Sequence, residues 1–303
     1  MADNPPAAWY PDPSGVGEHR YWDGSGWTAG VAIGGQVMER PMPWPPQAWG
    51  PSVATGGPAA HAPGAYARGD GDGRIELPAR AALYALAGFV AGLVGGVVLA
   101  LVGAVLDLPN LLILALNMVG LWTGLLGACF LASRKYGTGH VAADFGLRIR
   151  GNDVGWGILI GIGARFAGGL VLIPFINSSN RLETNGDGVF DKVGPDVGSF
   201  LVLAAVVCIG APLVEELFFR GLLLRSLEGG LPMPAALAIS AVLFGLAHYT
   251  PLLGLANVAL IAVIVVAGVI FGLAAHDHGV GRSAVSHATF NLVTVIAAAF
   301  LLY

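Results

Sequence analysis

Six polar side chains lie within three strongly apolar stretches of the sequence, where they could carry chemistry. They are Glu215, Glu216, Arg220, His248, His287 and Asn291. Charged or strongly polar groups inside an apolar helix are costly and usually serve a function. A carboxylate and an imidazole can hold and deprotonate a water molecule, and an imidazole and an amide can donate hydrogen bonds to an oxyanion. The set therefore favours hydrolysis over a structural role or an ion or proton path.

Helical spacing assigns different roles to the two adjacent glutamates. Positions four apart lie on one helix face, whereas neighbours point about 100° apart. Glu216 and Arg220 are therefore expected to form an ion pair within the membrane. Glu215 has no cation at that spacing and is expected to act as a base, with His248 helping to hold the water. His287 and Asn291, again four apart, are expected to converge on one face and bind an oxyanion.

These residues must be positioned by membrane-spanning helices. The chain has 55% hydrophobic and 11% charged residues, against roughly 25% charged in an ordinary soluble domain, which excludes a soluble enzyme, a disordered protein and a disulfide scaffold. Apolar stretches long enough to cross a bilayer, roughly 20 residues each, occur at 80–106, 111–133, 154–176, 198–227, 231–249, 252–275 and 280–303. The predicted fold is an all-α polytopic bundle of about seven spans, preceded by a small cytoplasmic Trp-rich module.

Close helix packing is predicted from small residues spaced four apart. Such pairs are Gly88 with Gly92 and Gly157 with Gly161, and small side chains allow helix backbones to approach each other in a membrane.

The depths of the polar residues in the membrane agree less well with one another if the predicted spans are taken as they stand. If the fifth span starts at Leu231, His248 lies deeper than Glu215 and His287, so this span is expected to start later or to tilt.

The first 79 residues differ sharply in composition from the rest and are predicted to form a module, 5–30, and a Gly/Pro-rich linker, 31–79. Aromatic patches around Trp9, Trp22 and Trp27 alternate with Pro, Asp and Gly residues that favour tight turns. This pattern resembles a short Trp-rich module of unknown function found beside membrane segments in high-GC bacteria. The alternatives are an interaction module for an unknown cytoplasmic partner and a weakly ordered tail.

The charge pattern predicts the orientation in the membrane. The N-terminus shows no signal-peptide pattern, and basic residues crowd the loop after the second span and follow the fourth: Arg134, Lys135, Arg148, Arg150 and Arg225. Basic loops stay in the cytoplasm, whereas the polar and acidic loop 177–197 suits the outside. We expect a multi-pass protein of the bacterial plasma membrane with a cytoplasmic N-terminus. A nucleic-acid partner is unexpected, because the net charge of −4 comes from the acidic tail.

The three motifs together resemble the CPBP family of intramembrane proteases, also known as the CAAX prenyl protease 2 or Abi family. The motifs run in the order Glu-Glu-x-x-x-Arg, Phe-x-x-x-His and His-x-x-x-Asn, and the resemblance covers roughly residues 140–300 of a transmembrane domain at 80–303. The resemblance implies that Glu215, His248, His287 and Asn291 are catalytic, while Glu216, Arg220 and Phe244 support them.

A metal site is left open by the resemblance, because the family is often described as metalloproteases. Glu215, His248 and His287 could supply a two-His, one-carboxylate site for zinc or another divalent metal. Asn291, however, is a poor zinc ligand, and no carboxylate is placed by spacing to orient either histidine. The sequence therefore favours a glutamate-activated water without an obligatory metal.

Other chemistries are less well supported by the sequence. No His-Glu-x-x-His or Gly-x-Ser-Gly motif occurs. Arg165 is expected to pair with a carboxylate or carbonyl of the bundle, and His276 and His278 to lie in a surface loop rather than a metal site. The sequence predicts an endopeptidase acting on a membrane-associated protein or peptide within the lipid bilayer. The alternatives are a catalytically idle membrane scaffold and a small-solute or proton carrier.

Overall fold

The computed structural model describes residues 6–12, 17–33, 36–40, 75–175, 196–249 and 256–302. The chain divides into two compact units, residues 1–60 and residues 61–303. Residues 177–195 of the predicted external loop and residues 41–74 of the predicted linker lie outside the described residues.

The first unit is an antiparallel sheet with strand order β1-β2-β3-β4. Its strands are β1 (Ala8–Pro11), β2 (His19–Trp22), β3 (Trp27–Ile33) and β4 (Gln36–Glu39). Trp22, Trp27 and Val31 are buried in this sheet, and Arg20 Nε donates to Asp12 Oδ1 at 2.8 Å. Strand β4 and the end of β3 extend beyond residue 30, where the sequence predicts the linker to start.

The second unit is helical, as predicted. Its elements are α1 (Ala82–Val105), α2 (Asn110–Tyr136), the short α3 (Val141–Asp144), α4 (Gly151–Leu172), α5 (Val197–Glu228), α6 (Met233–Leu246), α7 (Ala256–His278) and α8 (Val280–Leu302). Within the described residues, 6 helices are long and apolar enough to cross a membrane. The chain is therefore a multi-pass membrane protein.

The predicted fifth span, 231–249, is shorter than expected. Helix α6 has only 14 residues, with Pro232 as its N-cap and Ala247 as its C-cap. At about 1.5 Å per residue it extends about 21 Å, less than the ~30 Å hydrocarbon core. Because the helix ends before His248, that histidine lies just beyond the end of α6.

Glycines bring neighbouring helices into backbone contact at the predicted positions. A Cβ on Gly92 of α1 would lie 2.6 Å from the Leu121 carbonyl oxygen of α2, and a Cβ on Gly161 of α4 would lie 2.4 Å from the Ser286 carbonyl oxygen of α8. Both distances are too short for any side chain, so the prediction of close packing is confirmed.

Helix α8 is fixed against α4 by an ion pair that the sequence analysis did not identify. Arg282 Nε lies 2.9 Å from Asp153 Oδ1, and both side chains are largely buried. Asp153 also accepts a hydrogen bond from the Arg150 amide at 2.8 Å, as part of a capping box at the start of α4. The pair anchors α8 to α4 at Arg282, which lies a little more than one helical turn before His287.

The last residues of the predicted linker pack onto the helical unit. Ile75 and Leu77 are buried, the Ile75 amide donates to the Asp144 carbonyl at 3.2 Å, and the Arg225 guanidinium donates to the Ile75 carbonyl. The helical unit therefore includes residues from Ile75 onward.

Removal of residues 1–70 is expected to leave the peptide hydrolysis predicted from the sequence unchanged within about twofold, because Ile75 and every helix are retained. Removal of residues 1–78 should lower the thermal stability of the helical unit, since burying a large apolar side chain contributes roughly 1.5–3 kcal/mol. Thermal unfolding in detergent and hydrolysis of a short peptide by both truncated proteins measure these effects. Loss of hydrolysis by the shorter deletion, at equal expression, would contradict the prediction.

Candidate active site

A cavity within the helical unit brings the four predicted catalytic residues together. Its volume is about 350 Å³, and α2, α4, α5, α6, α7 and α8 all contribute to its walls. Most of the wall is apolar, and the polar groups that line it include Glu215, His248, His287, Asn291 and Arg165. A largely apolar cavity with a few convergent polar groups is the usual form of a ligand site.

The two adjacent glutamates lie in a short α-helical segment of α5, Ala211–Glu216, between two π-helical segments, Val206–Gly210 and Leu217–Leu224. Each π segment contains a glycine in close contact with an aromatic side chain. A Cβ on Gly210 would lie 2.4 Å from the Trp122 ring, and one on Gly221 would lie 2.8 Å from Phe145 Cβ. Such π-helical turns often occur at functional sites.

Glu216 is completely buried, and its carboxylate has several partners. Its Oε1 lies 3.0 Å from Arg220 Nη1 and 3.0 Å from His287 Nδ1. Its Oε2 accepts a hydrogen bond from Ser283 Oγ at 2.5 Å. The predicted ion pair with Arg220 is thus present, and two residues of α8 add to it.

Arg220 is held among aromatic rings. Its guanidinium carbon lies 4.2 Å from the centre of the Phe244 ring, and Nη2 donates to the Gly268 carbonyl at 3.2 Å. Phe244 also contacts both histidines of the cavity, with ring centres 4.9 Å from His248 and 5.6 Å from His287. Phe244 therefore packs between the buried cation and the two imidazoles, as a supporting residue would.

Glu215 is arranged quite differently from Glu216. Its Oε2 lies 4.0 Å from His287 Nε2, too far for a direct hydrogen bond. This oxygen is buried and accepts no hydrogen bond from any residue that the structure describes. Glu215 is thus a carboxylate that faces the cavity without the partners that occupy Glu216.

The hydrogen bonds of the two histidines fix which ring nitrogen carries a proton. His287 Nδ1 lies 3.0 Å from Glu216 Oε1, and His248 Nδ1 lies 2.8 Å from the Phe244 carbonyl oxygen. Because carbonyl oxygens accept only, as ionised carboxylates do, both Nδ1 atoms are donors. When neutral, each ring then carries its lone pair on Nε2.

Spacing along the chain placed no carboxylate to orient either histidine, yet the structure places Glu216 Oε1 3.0 Å from His287 Nδ1. Helix spacing could not reveal the contact, because Glu216 and His287 lie on different helices, α5 and α8. Ser283, which also binds Glu216, was missed by the sequence analysis as well. It lies one helical turn before His287, and this four-residue spacing was the signal that could have identified it.

Asn291 binds a backbone group of the π-helical segment rather than His287. Its Nδ2 donates to the Val207 carbonyl oxygen at 2.8 Å. A side-chain amide nitrogen has two hydrogens, so the second one can donate to a ligand in the cavity. Asn291 therefore joins α8 to α5 and also lines the cavity.

Two further sequence expectations concern residues outside the motifs. The Arg165 guanidinium lies 5.2 Å from the centre of the Phe290 ring, and the side chain lines the cavity. The expectation of a surface loop at His276 and His278 is wrong, because helix α7 continues to His278. His276 Nδ1 lies 2.9 Å from Glu228 Oε1, at the exposed ends of α7 and α5.

Family comparisons match two segments of the chain. Residues 7–48 match a protein of unknown function (DUF2510). Residues 197–293 match the family Type II CAAX prenyl endopeptidase Rce1-like. Both matches confirm the resemblances predicted from the motifs. Neither the curated proteins nor the solved structures include a match to this chain.

The Rce1-like segment contains all four predicted catalytic residues and the whole of α5, the helix that carries Glu215. Arg165 and Asp153 lie on α4, before the Rce1-like segment. The family match thus covers the carboxylate and both histidines of the cavity, while one cation in the cavity wall comes from outside it.

The cavity residues do not form a ready metal site. Among the described residues, no three His, Cys, Asp or Glu side chains lie close enough together to hold a metal ion. The metal-free reaction remains a prediction.

Purified protein is expected to carry well under one zinc per chain and to keep its activity after chelation. Among the possible ligands, His287 could bind a metal only through Nε2, because its Nδ1 is already bound to Glu216. Elemental analysis and activity before and after chelation measure the outcome. Stoichiometric zinc, with activity lost on chelation and restored by added zinc, would make Glu215, His248 and His287 the ligands instead.

Proposed function

We propose that this protein is an intramembrane endopeptidase that hydrolyses a peptide bond of a membrane-associated protein or peptide. The observation that carries the proposal is the contrast between two adjacent carboxylates in one helix. Glu216 is bound by Arg220, His287 and Ser283, whereas Glu215 lines the cavity and its Oε2 accepts no hydrogen bond from the described residues. A base needs such an available oxygen, since it must bind and deprotonate water.

In the proposed reaction, Glu215 takes a proton from water as the water oxygen attacks the peptide carbonyl carbon. His248 helps to hold this water, because its Nε2 accepts a hydrogen bond when Nδ1 donates to the Phe244 carbonyl. The carbonyl oxygen becomes an oxyanion. Glu215 then returns the proton to the amide nitrogen, the C–N bond breaks as the oxyanion re-forms a carbonyl, and a carboxylic acid, which ionises in water, and an amine leave.

The proposed oxyanion site is formed by His287 and Asn291. Glu216 holds His287 through Nδ1, so that its other nitrogen points toward Glu215 and donates when it is protonated. Asn291 contributes the amide hydrogen that is not directed to Val207. Donors fixed in a largely apolar cavity stabilise a developing negative charge strongly.

We also propose that the protein lies in the bacterial plasma membrane with its N-terminus in the cytoplasm. The support is the cluster of basic residues at the end of α2 and before α4, which includes Arg134, Lys135 and Arg148. The Trp-rich module would then be available to a cytoplasmic partner.

The proposal is tested by comparing the peptides released from membranes that contain wild-type protein with those from membranes without it. Incubation in ¹⁸O-labelled water should place one labelled oxygen in the new C-terminal carboxylate of each product, because hydrolysis adds one water oxygen. Purified protein in detergent should cleave a synthetic peptide spanning the mapped site. If no such peptide is cleaved, and no product depends on the protein, the protein is not a peptidase.

A further inference from the structure

The cavity extends from the catalytic residues toward one side of the helix bundle. Helix α5 lines it from Leu203 to Glu215, toward the N-terminal end of that helix, and α8 lines it from His287 to Val295, toward its C-terminal end. These two ends lie on the same side, because Glu228 at the other end of α5 contacts His276 just before the turn into α8.

Helices α2, α4 and α7 contribute residues from this same side. The segment that joins α2 to α4 lies at the opposite side, since its Asp144 carbonyl oxygen accepts a hydrogen bond from Arg225 near the end of α5. The cavity is lined by the N-terminal half of α2, the C-terminal half of α4 and α7 from its first residue. Their lining residues are Leu114 and Met118, Arg165 and Leu172, and members of the stretch from Ala256 to Phe271.

The opposite side of the bundle is filled by packed side chains. Arg282 at the start of α8 pairs with Asp153 of α4 at 2.9 Å. Ser283 and Leu222 are completely buried, and Ser283 Oγ donates to Glu216 Oε2. This layer separates the catalytic residues from that side.

The two sides of the bundle differ in charge. The packed side carries the basic residues Arg134, Lys135, Arg148, Arg150 and Arg225. The sequence that enters α5 on the cavity side is mainly acidic, with Glu183, Asp187, Asp191 and Asp196. Because basic loops stay in the cytoplasm, the cavity extends toward the external face in the orientation proposed above.

We propose that water and substrate reach Glu215 from the external side of the membrane, and that the scissile bond lies in the external half of the bilayer. This inference rests on the proposed function and on the proposed orientation. It names the substrate class as membrane-anchored proteins or peptides that are cut on their external side.

The cavity also indicates which residues flank the scissile bond. The stretch of α8 from His287 to Val295 rises about 12 Å, which accommodates about three or four residues of an extended chain. Leu260 and Val263 of α7 are among the apolar residues of the wall. Apolar substrate residues are therefore expected beside the cut, because their burial against such a wall is favourable.

The first test maps the cut sites in cells that contain full-length wild-type protein or its Glu215→Gln variant. New termini that depend on Glu215 are located on membrane proteins whose orientation is established by reporter fusions. They should lie in the external half of a span or in the adjoining external segment. Termini in the cytoplasmic half of spans or in cytoplasmic loops would overturn the inference.

The second test measures access to the cavity without measuring activity. Thr294 lines the cavity on α8, beyond Asn291, so Thr294→Cys should be labelled in spheroplasts by a charged, membrane-impermeant thiol reagent. Arg134→Cys, exposed at the basic end of α2, should be labelled only in inverted vesicles. Both variants are made in a Cys208→Ala background, because Cys208 is partly exposed whereas Cys129 is buried.

Ser286→Cys is the matched control on the same helix as Thr294. Ser286 is completely buried, and its Oγ donates to the Arg282 carbonyl oxygen at 2.9 Å. This variant should remain unlabelled in both preparations. Labelling of Ser286→Cys to the same extent as Thr294→Cys would show general penetration of the bundle and contradict a defined route.

Three further results would overturn the inference while leaving the peptidase intact. Thr294→Cys labelled only in inverted vesicles would show access from the cytoplasm, and Thr294→Cys unlabelled in both preparations would show that water does not enter here. Arg134→Cys labelled in spheroplasts would reverse the orientation. Failure of the proposed function itself would differ from all of these, because no new terminus would then depend on Glu215.

Discussion

Glu215→Gln is expected to lower kcat/KM for peptide hydrolysis by about 10³-fold, within the range for loss of a general base. The amide keeps the shape of the side chain but cannot accept the proton of the attacking water. The folded protein should be retained, because Glu215 Oε2 accepts no hydrogen bond from the described residues and lies 4.0 Å from His287 Nε2.

Peptide hydrolysis and thermal unfolding should be measured on the same preparation of each variant. Thermal unfolding in detergent should be unchanged or slightly raised in Glu215→Gln, since a buried carboxylate is removed. Glu228→Gln is a matched control on the same helix, because Glu228 lies at the exposed end of α5 and binds only His276 among the contacts described above. Near-normal activity of Glu215→Gln would exclude Glu215 as the base.

Glu216→Gln is expected to destabilise the folded protein by about 3–5 kcal/mol, the range for breaking a buried ion pair by removing one partner. The substitution leaves the Arg220 guanidinium buried among Phe219, Phe244 and Phe271 without its counter-charge. It also weakens the hydrogen bonds from His287 and Ser283. Membrane abundance and thermal unfolding should therefore fall together.

A second substitution separates the contribution of Glu216 to stability from its contribution to activity. Arg220→Met in the Glu216→Gln background removes the uncompensated charge and should restore part of the stability. Activity should stay low, because His287 still lacks the carboxylate that fixes its Nδ1 proton. If Glu216→Gln accumulated normally but were as inactive as Glu215→Gln, Glu216 would have a direct catalytic role, and the helix-face assignment of the two glutamates would be wrong.

The sequence by itself determined the membrane fold, the Glu216–Arg220 pair and the glycine contacts. Each depends on a local pattern: the length of apolar stretches, or the spacing of residues on one helix. Gly92 and Gly161 illustrate this, because small residues four apart are readable along the chain and the structure places other helices directly against them. The family resemblance was also readable, since each of its motifs lies within a few consecutive residues of the chain.

Tertiary structure alone decided how residues from different helices meet. His287 contacts Glu216 rather than Asn291, and Asn291 donates to the Val207 carbonyl. The regular spacing of an α-helix could not predict this, since π-helical turns alter the angular positions of residues around the helix axis. Two such segments flank Glu215 and Glu216.

The position of His248, beyond the end of its helix, was likewise decided by tertiary packing. The predicted span 231–249 forms a helix of 14 residues, and His248 follows its end. Arg165 reaches the cavity because Gly161, one turn earlier, lets α4 pack against the backbone of α8. Interhelical distances depend on the side chains of both helices at each contact, and this information is not contained in the spacing of residues along either helix alone.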